Sequence, residues 1–388
     1  MNDTIKSLGA ILLILMSTTM LSFGQQKKQI KLDSIQLLVN ELYLKLSKSN
    51  NPPEFETLFN EVRGLLSSNN DTLTTDSYIK QFMKLSQNCE LPWRCVDAHL
   101  YVSYLYTDQK QNIKSIQILK EGVALADKYK LFKRKGKLLL HIGHKYQNIY
   151  QSNDALENFL KAFEIFKKIG DQTLLHTALY QISLQNYGDK EYLKAIEGFR
   201  KVVNANDDKI YYRYLIDSWN ALGLIYRKQN LLDSAHIFTK KALKIALDKN
   251  DTVWVGILNG NLGSIYARQK DYKNAEKNFL SDIKISKRYK EWKNLAITLN
   301  QLADIYRAQD KNELARKYYD STLNVCEKYD QFAQKKEAYW GLATLMKTIR
   351  NFEKANEYLL LFFEVNDSLQ RRQEQNKLAK IEMTYQFR

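Results

Sequence analysis

Apolar positions return along this chain in one pattern every 40 residues, seven times over. The clearest copies read Leu222-Gly223-Leu224-Ile225-Tyr226, Leu262-Gly263-Ser264-Ile265-Tyr266 and Leu302-Ala303-Asp304-Ile305-Tyr306, and thirteen residues after each leading leucine stands an alanine, at Ala235, Ala275 and Ala315. The grid extends back to Ile142-Gly143 with Tyr146 and Ala155, and to Ile182-Ser183 with Ala195. It extends forward to Leu342-Ala343 with Ala355, and a weaker copy holds Val102-Ser103, Tyr106 and Ser115. Within one copy Trp219, Leu222 and Tyr226 fall at i, i+3 and i+7, one face of a helix. A polar break follows at Gln229-Asn230, and Asp233 is placed to help start a second helix whose inner side carries Ala235, Phe238, Ala242, Ile245 and Ala246. Each copy is therefore expected to be a helical hairpin. A single hairpin cannot bury its apolar face, so the copies must stack.

Small residues mark the crossings. Gly223, Gly263 and Ala303 sit where a first helix meets its partner, and Ala235, Ala275 and Ala315 where the partner crosses back. A hydrogen or methyl group there lets helix axes approach to roughly 8–10 Å. The tyrosines are expected to fill the wedge between hairpins and to be largely buried.

These residues resemble the tetratricopeptide repeat, in which a Trp–Leu–Gly–Tyr first helix meets an Ala–Phe–Ala second helix. Trp219, Leu222, Gly223, Tyr226, Ala235 and Ala242 match in one copy, Ala155, Phe159 and Ala162 match the second half in another, and Ala275 with Phe279 in a third. The usual unit has about 34 residues and often ends in proline; here it has 40, and no proline follows Pro92. Longer helices are expected in place of the proline-terminated turn, as in the long-repeat sensor arrays of bacterial regulators. The resemblance implies an all-α, right-handed α-solenoid of stacked hairpins. It bears on architecture only, because one fold hosts many functions.

Organisation follows from the grid. Residues 93–366 hold the seven hairpins. Residues 25–92 read as a degenerate helical cap, with helical stretches near 33–47, 54–66 and 74–87, and residues 367–388 as a C-terminal helix. Residues 1–24 read as a targeting segment: Lys6 precedes an apolar run of 14 residues over 8–21, and Ser22-Phe23-Gly24 supplies small residues at a cleavage spacing. That run is short for a membrane span of about 20 residues. Cleavage after Gly24 and export to the periplasm or cell envelope are expected, with an uncleaved, membrane-associated anchor as the alternative.

Composition narrows the function classes. With 14 Gly and 3 Pro in 388 residues, 44% hydrophobic, the chain suits continuous helices. The net charge of +16 would ordinarily suggest nucleic acid. The basic residues are instead spread through every unit, as at Lys240-Lys241, Lys287-Arg288 and Lys335-Lys336, without a block or interleaved aromatics. Solvated helix faces explain them, and no specific nucleic acid is expected. Cys89 and Cys95 flank Leu91-Pro92-Trp93 and form a candidate disulfide if their Cα atoms come within about 7 Å; two free thiols are the alternative. Cys326 reads as a core residue. His141 and His144 share a helix face, but two histidines without a third ligand do not make a metal site. There is no phosphate loop, nucleophile elbow or metal-protease motif, so no enzyme, metal or cofactor is expected.

What remains is the face of the first helices, which lines the concave side in tetratricopeptide arrays. Asn220, Asn261 and Asn300 lie just before the signature leucines, and Arg227, Arg268, Arg307 and Lys347 five or six residues after them. Amides can pair with an extended peptide backbone, and guanidinium groups with carboxylates. A groove so lined suits a protein or peptide partner of acidic character; the alternative is that these are ordinary solvated residues. At the far end Leu378, Ile381 and Tyr385 share a helix face. This tail resembles the region that, in exported bacterial repeat proteins, leads into a membrane span and then a kinase core or LuxR-type domain. The expected function is thus an exported binding scaffold or sensor. The alternatives are the sensor region of a larger membrane-bound signalling protein or LuxR-type regulator, and a cytoplasmic peptide-responsive regulator. Mass spectrometry of envelope material is expected to find a chain beginning at Gln25; a chain that retains Met1 would refute export by cleavage.

Overall fold

The computed structural model describes residues 51–69, 91–205 and 209–385, together with positions 48, 76, 78–80, 83 and 84. The targeting segment, the stretch 33–47, most of 74–87 and Cys89 lie outside the described residues. All regular structure among the described residues is helix. A leading helix α1 (Pro52–Asn69) precedes α2 (Pro92–Asp108), α3 (Asn112–Lys128), α4 (Phe132–Asn148), α5 (Ser152–Ile169), α6 (Gln172–Gly188) and α7 (Tyr192–Val203). Then come α8 (Tyr212–Lys228), α9 (Leu232–Asp248), α10 (Thr252–Arg268), α11 (Tyr272–Tyr289), α12 (Trp292–Arg307), α13 (Asn312–Lys328), α14 (Phe332–Thr348) and α15 (Phe352–Tyr385). The seven expected hairpins are the pairs α2/α3 to α14/α15, an all-α solenoid pattern. From α2 onward a new helix starts every 20 residues, at 92, 112, 132 and so on to 352.

The 20-residue beat is set by the backbone. Lys110, Lys130, Tyr150, Lys190, Asn230, Asn250, Lys270, Lys290, Asp310, Asp330 and Arg350 all take left-handed φ values of 54–65°, and Gly170 joins them at 73°. Most helices thereby close in the same doubly bonded turn, while after α11 Lys290 N–H bonds to Ser286 O instead. At the end of α8, for example, Asn230 N–H bonds to Arg227 O at 3.1 Å and Leu231 N–H to Tyr226 O at 2.9 Å. Leu231 then accepts from Ala235 N–H at 3.0 Å and so begins α9. One residue ends a helix and starts the next. Only the junction after α7 departs: that helix stops at Val203, yet α8 still begins on the beat.

Side-chain capping is sparse and lies two positions earlier than the register of Asp233. Asp171, Asp251 and Asp271 accept from the N–H of Leu174, Trp254 and Asn274, and Asn351 from Lys354 N–H. Asp233 sits inside the first turn of α9, where its charge favours the positive end of the helix, but the cap position belongs to Leu231.

The crossings are as expected from the small residues. A Cβ on Gly263 would lie 2.6 Å from the Phe279 ring, and one on Gly223 2.6 Å from Thr239 Oγ1; Gly143 receives Phe159 in the same way. Ala155, Ala195, Ala235, Ala275 and Ala315 are fully buried. The tyrosines correct the expectation in part. Tyr306 is buried, while Tyr146, Tyr226 and Tyr266 are half-buried. Their rings pack but their outer ends stay near water: Tyr226 OH accepts from Arg200 Nη2 at 2.7 Å, Tyr266 OH meets His236 Nε2 at 3.1 Å, and Lys120 lies over the Tyr146 ring.

The residues cluster into two compact units, Met1–Ile165 and Phe166–Arg388. In the first, Phe59 of α1 packs with Tyr101, Val102 and Leu105 of α2, and Arg63 grips Asp108 at 2.6 and 2.7 Å. Cys95 is buried and disulfide-bonded; Cys326, in the second unit, is a free buried thiol. In the second unit a carboxylate, Asp282 of α11, is wholly buried. It accepts from Thr298 Oγ1 at 2.5 Å, Asn294 Nδ2 at 2.6 Å and Ser286 Oγ at 2.8 Å, and Gly256 and Gly260 of α10 leave room for it. Burial pushes its pKa up to about 6 against these donors. The last helix, α15, runs unbroken through Asn366-Asp367-Ser368.

Two measurements test this packing. Gly263→Ala is expected to lower stability by about 1–3 kcal/mol by overpacking against Phe279, while Gly188→Ala, which meets nothing within 4 Å, leaves it unchanged or raises it by up to about 1 kcal/mol. Equal effects in denaturant titrations would refute the close approach. For Asp282 the folded pKa lies above the unfolded one, so its contribution is complete below about pH 4 and lost as pH rises through about 6. Wild type relative to Asp282→Asn is expected to lose about 2–3 kcal/mol between pH 4 and 7; a difference independent of pH would show that Asp282 stays ionised throughout.

Candidate functional site

First helices of the second unit lie side by side, and polar groups tie each to the next. Tyr180 of α6 donates to Asp217 of α8 at 2.5 Å, Asn261 of α10 donates to Asn220 of α8 at 2.8 Å, and Ser264 of α10 donates to Gln301 of α12 at 2.8 Å. Asn300 of α12 donates to Gln334 O of α14 at 3.0 Å. Identical spacing of the helices produces these ties, because residues about 37 or 41 apart become neighbours one turn apart on adjacent rods.

The seven candidate residues divide by environment. Asn220 and Asn300 are buried and Asn261 is half-buried. Their amides spend part of their bonding capacity on the neighbouring helix, and Asn300 Oδ1 is buried with no partner. Arg227 is half-buried on α8, and its Nη1 is fully buried with no partner. Arg268, exposed on α10, donates to Arg227 O at 3.2 Å. Burial, and then the Arg268 charge, depress the Arg227 pKa. The structure thus pairs Arg227 with Arg268 and, about two helical turns away, Asn220 with Asn261 across α8 and α10. Arg307 is engaged elsewhere: it donates to Tyr319 OH at 3.2 Å and Asp304 Oδ1 at 3.3 Å within its own hairpin. Lys347 stands exposed at the end of α14.

Sequence reasoning missed Gly260 and Asp282. Gly260 occupies the register position of Asn220 and Asn300, and a Cβ there would collide with Asp282 Oδ2. The Asp282 carboxylate therefore reaches between α10 and α12 where its neighbours place an amide. The signal was present, since Asp282 stands in the column of Ala162, Val202 and Ala242. In the first unit His141 and His144 belong to a column of packed rings, Tyr104 to His141 to His144 to Phe159, with centroids 5.4, 6.4 and 5.3 Å apart. Burial drives the His141 pKa down to about 3.

Two family models, both described as tetratricopeptide repeat, match the chain: one over residues 216–249, the other over residues 254–328 and 294–360. A search of curated proteins finds no match. Among solved structures the fold is similar to the apo form of RapI, with a TM-score of 0.64 and 15% identity over 87% of this chain and 98% of that one. It is similar to aspartyl phosphate phosphatase F from Bacillus subtilis, TM-score 0.57 and 16% identity over 86% and 94% of the two chains. A Rap protein complexed with competence and sporulation factor gives a TM-score of 0.51 and 14% identity over 87% and 99%. At such identities the likeness shows the fold alone. Residues 216–249 and 254–360 are thus tetratricopeptide repeats, set in a frame of 20-residue helical beats.

Proposed function

We propose that this chain is a non-catalytic scaffold or sensor that binds a peptide or protein segment through a carboxylate, on the first-helix face of α8 and α10. The observation that carries this is Arg227. A half-buried guanidinium with a buried, unpartnered nitrogen and a second arginine beside it is costly to hold without an anion. A carboxylate offers that nitrogen a charge-assisted bond, with Arg268 at the rim as a second donor. Asn220 and Asn261, about two turns further along the same helices, supply amides for the backbone of an extended ligand. The Rap protein in complex with competence and sporulation factor supports the idea that an array of this fold can hold such a factor. The likeness to an aspartyl phosphate phosphatase is one of fold. Amides and guanidiniums suit holding an anion rather than acting as nucleophile or general base, which favours a scaffold. Export to the periplasm or envelope, and a role in signal transduction, rest on the sequence of residues 1–24 and of the C-terminal tail.

Binding and stability are expected to move in opposite directions. Against a carboxylate-bearing peptide selected from an acidic library, Arg227→Met and Arg268→Ala are each expected to weaken binding about 10-fold or more, roughly 1.4 kcal/mol. Arg227→Met is expected to melt no lower than wild type, since it removes an unpaired buried charge. Arg307→Ala is expected to change affinity little. Unaltered affinity in both Arg227→Met and Arg268→Ala would refute this site.

A further inference from the structure

The terminal hairpin differs from those before it in what it leaves uncovered. Register position 340 is buried in the preceding copies of the second unit, as Tyr180, Asn220, Gly260 and Asn300, because the next first helix lies over it. In α14 this position is Trp340, which is 52% exposed. The column that holds Ala162, Val202, Ala242, Asp282 and Thr322, all fully buried, becomes Phe362 in α15. Trp340, Phe362 and Phe363 form a ring cluster, with centroids 5.4 and 5.3 Å apart. Phe352, Leu360 and Phe363 lie along one outer face of α15, 61, 66 and 56% exposed.

The same helix is twice as long as its counterparts, with 34 residues against 17 in α13. Arg372 lies over the ring of Phe332, the first residue of α14, at 3.8 Å, so residues 373–385 run on past the hairpin. That extension spans roughly 20 Å, and so short a helix is marginal without packing. Leu378, Ile381 and Tyr385 fall in helical register with Phe352 and Phe363, and polar Asp367, Gln370 and Glu374 occupy that register between the two apolar sets. Charge is divided along the helix as well. Residues 352–367 hold Glu353, Glu357, Glu364 and Asp367 against Lys354 alone, while residues 368–385 hold Arg371, Arg372, Lys377 and Lys380 against Glu374 and Glu382.

We propose that α15 is a homodimerisation helix, packing antiparallel against the α15 of a second copy about a two-fold axis near Ser368. This arrangement lays the half of each copy that carries Phe352 and Leu360 alongside residues 376–385 of the other, with Phe363 nearer the axis. It also lays each acidic half beside a basic half, while a parallel pairing would place like charges together. A helix about 50 Å long, with the Trp340 cluster at its flank, offers a self-complementary two-fold patch. At Trp340 the exposed surface is then the continuation of the interface that earlier hairpins of the second unit present to the next.

Light scattering on the full chain after size exclusion is expected to give a dimer mass. Phe363→Glu with Leu360→Lys, both at exposed positions, is expected to give a monomer with unchanged helical circular dichroism. Single-cysteine variants decide the geometry: Asp367→Cys, in the register of the apolar face and beside the axis, is expected to cross-link under mild oxidation, and Asn356→Cys to cross-link far less. A monomer at the highest attainable concentration would overturn the proposal. So would a dimer insensitive to the Phe363/Leu360 variant, or equal cross-linking at 356 and 367.

Discussion

The rest of this structure depends on a left-handed residue recurring every 20 positions. Such a residue reverses the chain in three positions, with its own N–H and the next one satisfying the last carbonyls of the helix behind it. For residues other than glycine this conformation costs about 1–2 kcal/mol each, and eleven non-glycine residues adopt it among the described positions. The cost is met because the alternative, several unbonded carbonyls at a packed helix end, is worse. The return is a near-uniform helix length, 16–18 residues in every helix from α2 to α14 except α7. With helices of nearly one length, Phe159, Thr239 and Phe279 each reach the same partner position on their hairpins, and the glycine there becomes a steric requirement.

Uniformity also creates the polar layer between first helices. Adjacent rods of equal length bring residues about 40 apart into contact, so a polar residue kept in register becomes a ladder: Asn220 with Asn261, Ser264 with Gln301, Tyr180 with Asp217. Ladder members that find partners rigidify the stack. Those that do not, such as Arg227 Nη1 and Asn300 Oδ1, hold unspent bonding capacity at a cost in stability. Asp282 shows a third outcome. Its carboxylate is fully hydrogen-bonded, yet burial without a cation keeps its pKa near 6.

Hairpin existence, phase and the crossing residues were legible in the sequence because they depend on local periodicity. Leu222, Gly223 and Ala235 carry the same meaning wherever the 40-residue grid places them. The left-handed column was visible only as weak punctuation, since Lys, Asn, Asp, Tyr and Arg share that position and only Gly170 signals it chemically. The tyrosines were read as buried because ring packing is periodic; where each hydroxyl ends depends on the neighbouring hairpin, as with Arg200 beneath Tyr226.

The candidate groove separates along the same line. Sequence alone placed Asn220, Arg227, Asn261, Arg268, Asn300, Arg307 and Lys347 on first helices, because register determines the element. Which of them retain bonding capacity was decided by tertiary contacts: Arg307 is taken up by Asp304 and Tyr319, whereas Arg227 meets no acid. A helix face is a property of spacing along one strand of sequence. Burial, pairing and charge state belong to atoms that meet only when distant repeats pack, and no single repeat contains that information.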